Sequence, residues 1–150
     1  MKILIQRVKH SKCTVDGKEI SKIGQGILVF VGITNNDTIE DIEWLANKMV
    51  NLRIFNDEEG VMNKSCIEID GEIMIISQFT LHARTKKGNR PSYVDAAKPE
   101  ISEPLYNKFI ETVNSLTGKK SATGIFGADM KIELLNDGPV TIIIDSKNRI

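Results

Sequence analysis

Ile73-Met74-Ile75-Ile76-Ser77-Gln78-Phe79-Thr80-Leu81 is an apolar run that breaks into polar residues at its end. Four consecutive aliphatic side chains leave no polar face, so the run reads as a strand covered on both sides. Ile27-Leu28-Val29-Phe30-Val31 has the same character. Two such strands need further layers above and below them, and the rest of the sequence has to supply those layers. Upstream, Lys2 to Val15 reads as a long strand, Asp16-Gly17 as a hairpin turn and Lys18 to Ile23 as the returning strand. Ile39, Ile42, Leu45, Ala46, Met49 and Val50 follow helical spacing, which predicts a helix from about Thr38 to Leu52. Arg53-Ile54-Phe55 suggests a short strand. Downstream of the opening stretch, Ile101, Leu105, Phe109, Ile110 and Val113 define a second helical face between Pro99 and Leu116. Pro104 fits best in a first turn, so that helix is expected to begin near Glu103. Lys131 to Leu135 and Val140 to Asp145 read as two final strands joined through Asn136-Asp137-Gly138-Pro139. The order is strands, helix, strand, helix, strands. It predicts a mixed α/β architecture, one domain spanning 1–150, in which two helices cover a sheet system.

Composition narrows the function. The 150 residues are 41% hydrophobic, 27% charged and only 5% aromatic, which fits an aliphatic, strand-rich globular core. Lys plus Arg and Asp plus Glu balance at 20 each. Coating a long duplex calls for a basic excess that this chain lacks, although a local patch could hold one end of a nucleic acid. Cys13 and Cys66 stand far apart without a CxxC, and His10 and His82 lie in no triad or HExxH context. A disulfide framework and a metal site are therefore not expected, and no cofactor is implied. No apolar run near the N-terminus is long enough for a signal peptide or membrane span, so the expected location is the cytoplasm.

Two motifs carry chemistry. Ser77, Gln78 and Thr80 place hydroxyl and amide groups where a buried strand emerges, and such groups can bind a carbonyl or stabilise an oxyanion. Read alone, they also describe a polar strand end satisfying its own backbone. In Asn136-Asp137-Gly138-Pro139-Val140-Thr141 the simplest reading is a trans hairpin, since only about 5–6% of X-Pro bonds are cis. The sharper reading is a cis Gly138-Pro139 bond that presents carbonyls to a ligand. Arg84, Lys86, Lys87 and Arg90 form a basic loop that could be a solvated surface or a phosphate contact, and Lys119-Lys120 is a smaller cluster.

Taken together, Gln6-Arg7-Val8, Asn51 to Phe55, Ser77 to Leu81, Lys87 to Ser92, Thr123 to Met130 and Asn136 to Thr141 resemble the D-aminoacyl-tRNA deacylases of the bacterial and eukaryotic type, over essentially the whole chain. The resemblance implies two packed β-sheets, barrel-like, covered by two helices in a three-layer β/β/α arrangement. It implies an ester hydrolase acting on the 3′ end of aminoacyl-tRNA, a homodimer with the site at the subunit interface, no membrane association and no obligatory protein partner. Ser77, Gln78, Phe79 and Thr80 would be catalytic. Gly138 and a cis Pro139 of one subunit would enter the pocket of the other, supported by Arg7, with Phe126 and Met130 as pocket walls and Lys86, Lys87 and Arg90 against the tRNA. L-aminoacyl groups would be rejected by collision, and glycine, lacking a side chain, would escape rejection. Tyr93 stands where relatives more often carry Phe, and His82-Ala83-Arg84 stands where many relatives have an aromatic and then an acidic or small residue. Two other readings compete. A non-catalytic nucleic-acid-binding module is disfavoured by the missing basic tail after the last strand. A general esterase is disfavoured by the lack of GxSxG.

Overall fold

The computed structural model describes residues 1–150. Eight strands and two α-helices follow in the order β1 (Lys2–Val15), β2 (Lys18–Ile23), β3 (Gly26–Gly32), α1 (Ile39–Val50), β4 (Phe55–Asn56), β5 (Met62–Lys64), β6 (Glu72–Ser77), α2 (Pro99–Thr117), β7 (Ala122–Thr123) and β8 (Met130–Asp145). A short 3₁₀ turn, Phe79–His82, follows β6.

β3 and β6, which carry the two apolar runs, lie side by side and parallel, Ile27 opposite Ile73 and Phe30 opposite Ile76. Their side chains alternate between two cores. Ile27, Val29, Val31, Ile73 and Ile75 join a large core beneath α1 and α2, which also holds Ile3, Ile5, Leu45, Met49 and Phe109. Leu28, Met74 and Ile76 point the other way, into a smaller core with Val8, Cys13 and Val15. Each fully buried aliphatic side chain in these cores contributes on the order of 1.5–3 kcal/mol. The sheet runs β2-β1-β3-β6-β7, with β8 on the other side of β1. It curls towards closure, as Ser21 on β2 donates its hydroxyl to the Thr123 carbonyl on β7 at 2.6 Å. A second sheet, β4–β5, is small. The barrel-like mixed α/β arrangement with two covering helices is the one expected.

Helix α1 begins one residue inside its predicted range. Thr38 is its N-cap, and the Thr38 amide donates to Asp41 Oδ2 at 2.8 Å. Helix α2 differs from expectation: it starts at Pro99, so Pro104 sits inside it. Proline there removes the donor that would meet the Glu100 carbonyl. Both residues are exposed, so water can take that acceptor. The fourth strand also differs, occupying Phe55–Asn56 rather than Arg53 to Phe55.

The main correction concerns β8. The two expected terminal strands are one 16-residue strand, and both of its halves pair with β1 rather than with each other. Ile142 lies opposite Ile5, and Glu133 opposite Lys12. Between the pairs Gln6–Thr141 and Val8–Asn136, the four residues Asp137, Gly138, Pro139 and Val140 stand against Arg7 alone. The Asp-Gly-Pro sequence thus makes a wide bulge and not a turn. It reads locally like a hairpin, but β1 offers a 14-residue edge that both halves can use.

Candidate active site

The polar end of β6 opens onto a cavity of about 560 Å³. Ser77 ends the strand, and the Gln78 amide is held by the Val31 carbonyl at 2.8 Å. The chain then tightens into the 3₁₀ turn, whose first amides, on Phe79 and Thr80, have no acceptor within the turn. Gln78 Nε2 donates to Thr80 Oγ1 at 2.6 Å, which fixes both side chains. Phe79 is 56% exposed and meets Tyr93 edge-to-face with ring centres 5.0 Å apart. The opposite wall is Phe126 to Met130, where Phe126 packs against the buried ring of Tyr106 at 5.7 Å. Burial raises the Tyr106 hydroxyl above its ordinary value of 10, and that hydroxyl donates to the Ile75 carbonyl at 2.7 Å.

The structure therefore brings Ser77, Gln78, Phe79, Phe126 and Met130 around one cavity, with Thr80 bonded to Gln78. Sequence reasoning missed the third wall, Tyr93 to Ser102, which includes Ala96, Ala97, Lys98 and Pro99. Ala97 reaches it because its amide is anchored on the Ile33 carbonyl at 2.9 Å. The available signal was the apolar pair Tyr93-Val94 inside an otherwise polar loop.

Arg7, Gly138 and Pro139 form a separate group that does not line this cavity. Arg7 is 8% exposed. Its Nε donates to the Asp137 carbonyl at 2.9 Å, and its Nη1 to the Ile54 carbonyl at 2.6 Å. The Asp137 carboxylate lies 3.5 Å from Nε. Asn136 Oδ1 accepts from the Val140 amide at 2.9 Å and bridges the bulge. The Gly138–Pro139 bond is cis, as the sharper sequence reading expected, and Gly138 has a φ of +136°. Gly138 and Pro139 themselves are exposed. Lys86, Lys87 and Arg90 lie on an exposed loop that leads into Tyr93 at the cavity rim. Of two cavities elsewhere, the one of about 580 Å³ is lined in part by Lys119 and Lys120, and the one of about 640 Å³ holds none of the residues expected to be catalytic or to bind substrate.

Fold and site together define a class: a mixed α/β protein with a barrel-like sheet and a cavity edged by hydroxyl, amide and backbone N–H groups. Within that class the match is specific. Residues 4–145 match the family described as D-Tyr-tRNA(Tyr) deacylase, so the chain belongs to that family of ester hydrolases. Proteins named D-aminoacyl-tRNA deacylase from Parabacteroides distasonis and Bacteroides thetaiotaomicron are 65% and 62% identical over 149 residues, covering 99% of both chains in each case. A solved structure named c-Myc DNA Unwinding Element Binding Protein is 40% identical, with a TM-score of 0.90 over 97% of this chain and 98% of its own. A probable eukaryotic D-amino acid tRNA deacylase, 17% identical, shares the fold with a TM-score of 0.83 over 95% of this chain. No helix is long and apolar enough to cross a membrane.

Proposed function

We propose that this chain hydrolyses the ester of D-aminoacyl-tRNA at the cavity between Ser77–Phe79 and Phe126–Met130, and discriminates chirality with Gly138–Pro139 of a second copy. The supporting observation is the separation of the two motifs. The polar strand end edges a cavity, whereas Gly138 and Pro139 of the same chain are exposed on β8, outside it. A second copy could deliver its bulge to this cavity, and the exposed Leu135 and Ile143 on the same strand give that face an apolar component. Backbone carbonyls of the bulge would then hold the amino group of the substrate. An L side chain would meet the bulge, a D side chain would point away, and glycyl esters, including those on tRNA(Ala), would be accepted.

For the chemistry, the amides of Phe79 and Thr80 would stabilise the oxyanion while the ribose 2′-OH of the RNA assists the attacking water. Thr80 makes a poor nucleophile here. Its oxygen already accepts a hydrogen bond from Gln78, and an amide N–H cannot take its proton. An aminoacyl ester is activated to begin with, so positioning and electrostatics suffice.

The direct test uses D-Tyr-tRNA and L-Tyr-tRNA side by side. Rapid hydrolysis of the D ester with the L ester spared is the expected result; equal loss of both overturns the chiral reading. The DNA-related name of the 40% identical structure favours a second reading, a nucleic-acid-binding module without catalysis. Tight duplex DNA binding with a steep salt dependence, and no ester hydrolysis, would support that reading instead.

A further inference from the structure

The basic loop is more ordered at its base than a solvated surface segment requires. Arg84 and Ser92 face each other across it and exchange both backbone bonds, Arg84 N–H to Ser92 O at 2.8 Å and Ser92 N–H to Arg84 O at 3.0 Å. The seven residues between them, Thr85 to Pro91, include three cations and no carboxylate. Below this closure, the Arg84 guanidinium grips Asp95 through two parallel bonds, Nε to Oδ2 and Nη2 to Oδ1, both 2.5 Å. Bidentate geometry of this kind fixes direction as well as distance. The hydrogen bonds from Arg84 hold the Asp95 carboxyl below its ordinary value of 3.8. Asp95 does not itself line the cavity but stands between Tyr93 and Ala96, which do: the Ala96 amide bonds the Tyr93 carbonyl at 3.1 Å, and the Ala97 amide bonds the carbonyl of Ile33, just beyond β3. One ion pair thus ties the base of a cationic loop to the rim of the cavity.

We propose that Arg84 and Asp95 are positioning residues whose ion pair sets the loop at the cavity mouth, so that Lys86, Lys87 and Arg90 engage phosphates of the RNA strand whose 3′ end enters the cavity. This rests on the deacylase reading of that cavity. The whole chain carries no net charge, so RNA affinity has to come from where cations are placed and not from their number. Phosphate contacts of this sort set the register of the strand and carry no base preference.

Asp95→Asn separates placement from charge. It removes a negative charge beside the loop, so if the cations act only by bulk attraction the variant binds RNA more tightly. If the pair positions the loop, the variant binds uncharged tRNA about two- to fivefold more weakly, in the range set by exposed ion pairs. KM for D-aminoacyl-tRNA should rise in parallel, while kcat and the hydrolysis of 3′-D-aminoacyl-adenosine, which lacks the phosphates, stay unchanged. The reversed pair, Arg84→Asp with Asp95→Arg, should recover most of the lost affinity. Tighter or unaltered tRNA binding by Asp95→Asn overturns the proposal, as does an equal loss on both substrates or a reversed pair that rescues nothing. If the unaltered protein binds tRNA with the expected dependence on Asp95 but cleaves neither ester, the loop assignment stands and the deacylase reading falls.

Discussion

Gly138 shows how a single position constrains the bulge on β8. Its φ of +136° lies where side chains are rarely tolerated, and an added Cβ would come within 2.9 Å of Val140 Cγ2 and 3.0 Å of Arg7 Nη2. Gly138→Ala should therefore cost on the order of 1–3 kcal/mol of stability, read as a lower melting temperature, and should reduce ester hydrolysis further by displacing the Arg7 guanidinium. A variant with unchanged melting and activity would show that the bulge tolerates the shift. Thr80 makes the opposite case. Removing a true nucleophile costs a hydrolase about 10⁶-fold in rate. Thr80→Ala should stay within about tenfold of the unaltered protein in single-turnover hydrolysis, because its hydroxyl is a partner of Gln78 and has no base beside it. Total loss of turnover in a folded variant would reassign Thr80 as the attacking group.

At the scale of elements, the β1, β2 and α1 segments were legible because each has a single dominant period and a clear cap or turn. Strand β8 was not. Asn136-Asp137-Gly138-Pro139 carries strong turn chemistry, and nothing local reveals that β1 extends far enough to pair with both flanks. Helix α2 was misjudged at its start for a related reason. Pro104 looks like a first-turn residue, but Ser102, Tyr106, Phe109 and Val113 are buried, and the packing of this face outweighs one missing hydrogen bond. The motifs Ser77 to Thr80 and Gly138-Pro139 were visible as strings, whereas the wall from Tyr93 to Ser102 was not, because it depends on Ala97 docking on the Ile33 carbonyl just beyond β3. The junction of α1 with the C-terminal segment yields a pH dependence. Burial alone would raise the Asp41 carboxyl, but hydrogen bonds from Lys147, Ser146 and Thr38 more than offset it and hold the group well below 3.8. A depressed folded-state value stabilises the protein above the unfolded value and loses that contribution as pH falls below it. Acid unfolding monitored by circular dichroism should thus begin at higher pH for Lys147→Met than for the unaltered protein. Coincident curves would show that the pair contributes nothing.

For the whole molecule, the proposed function requires two copies. One chain has a mass of 16.7 kDa, and sedimentation should give about twice that value at micromolar concentration. A strictly monomeric protein that still spares L esters would remove the role assigned to the second copy's bulge. The absence of net charge fits this scheme, because an enzyme that must release its RNA after each turnover gains nothing from a strongly basic surface.

The bulge on β8 is bonded to β1 through the ladder on both flanks and clamped in the middle by Arg7. A segment tethered in this way has no hinge, so in the proposed function it would act as a fixed gauge and not as a flap. Its tolerance is set by the jostling of the barrel that carries it. Mistakes of handedness should accordingly become more frequent when the barrel softens on warming, well before any local opening at the bulge.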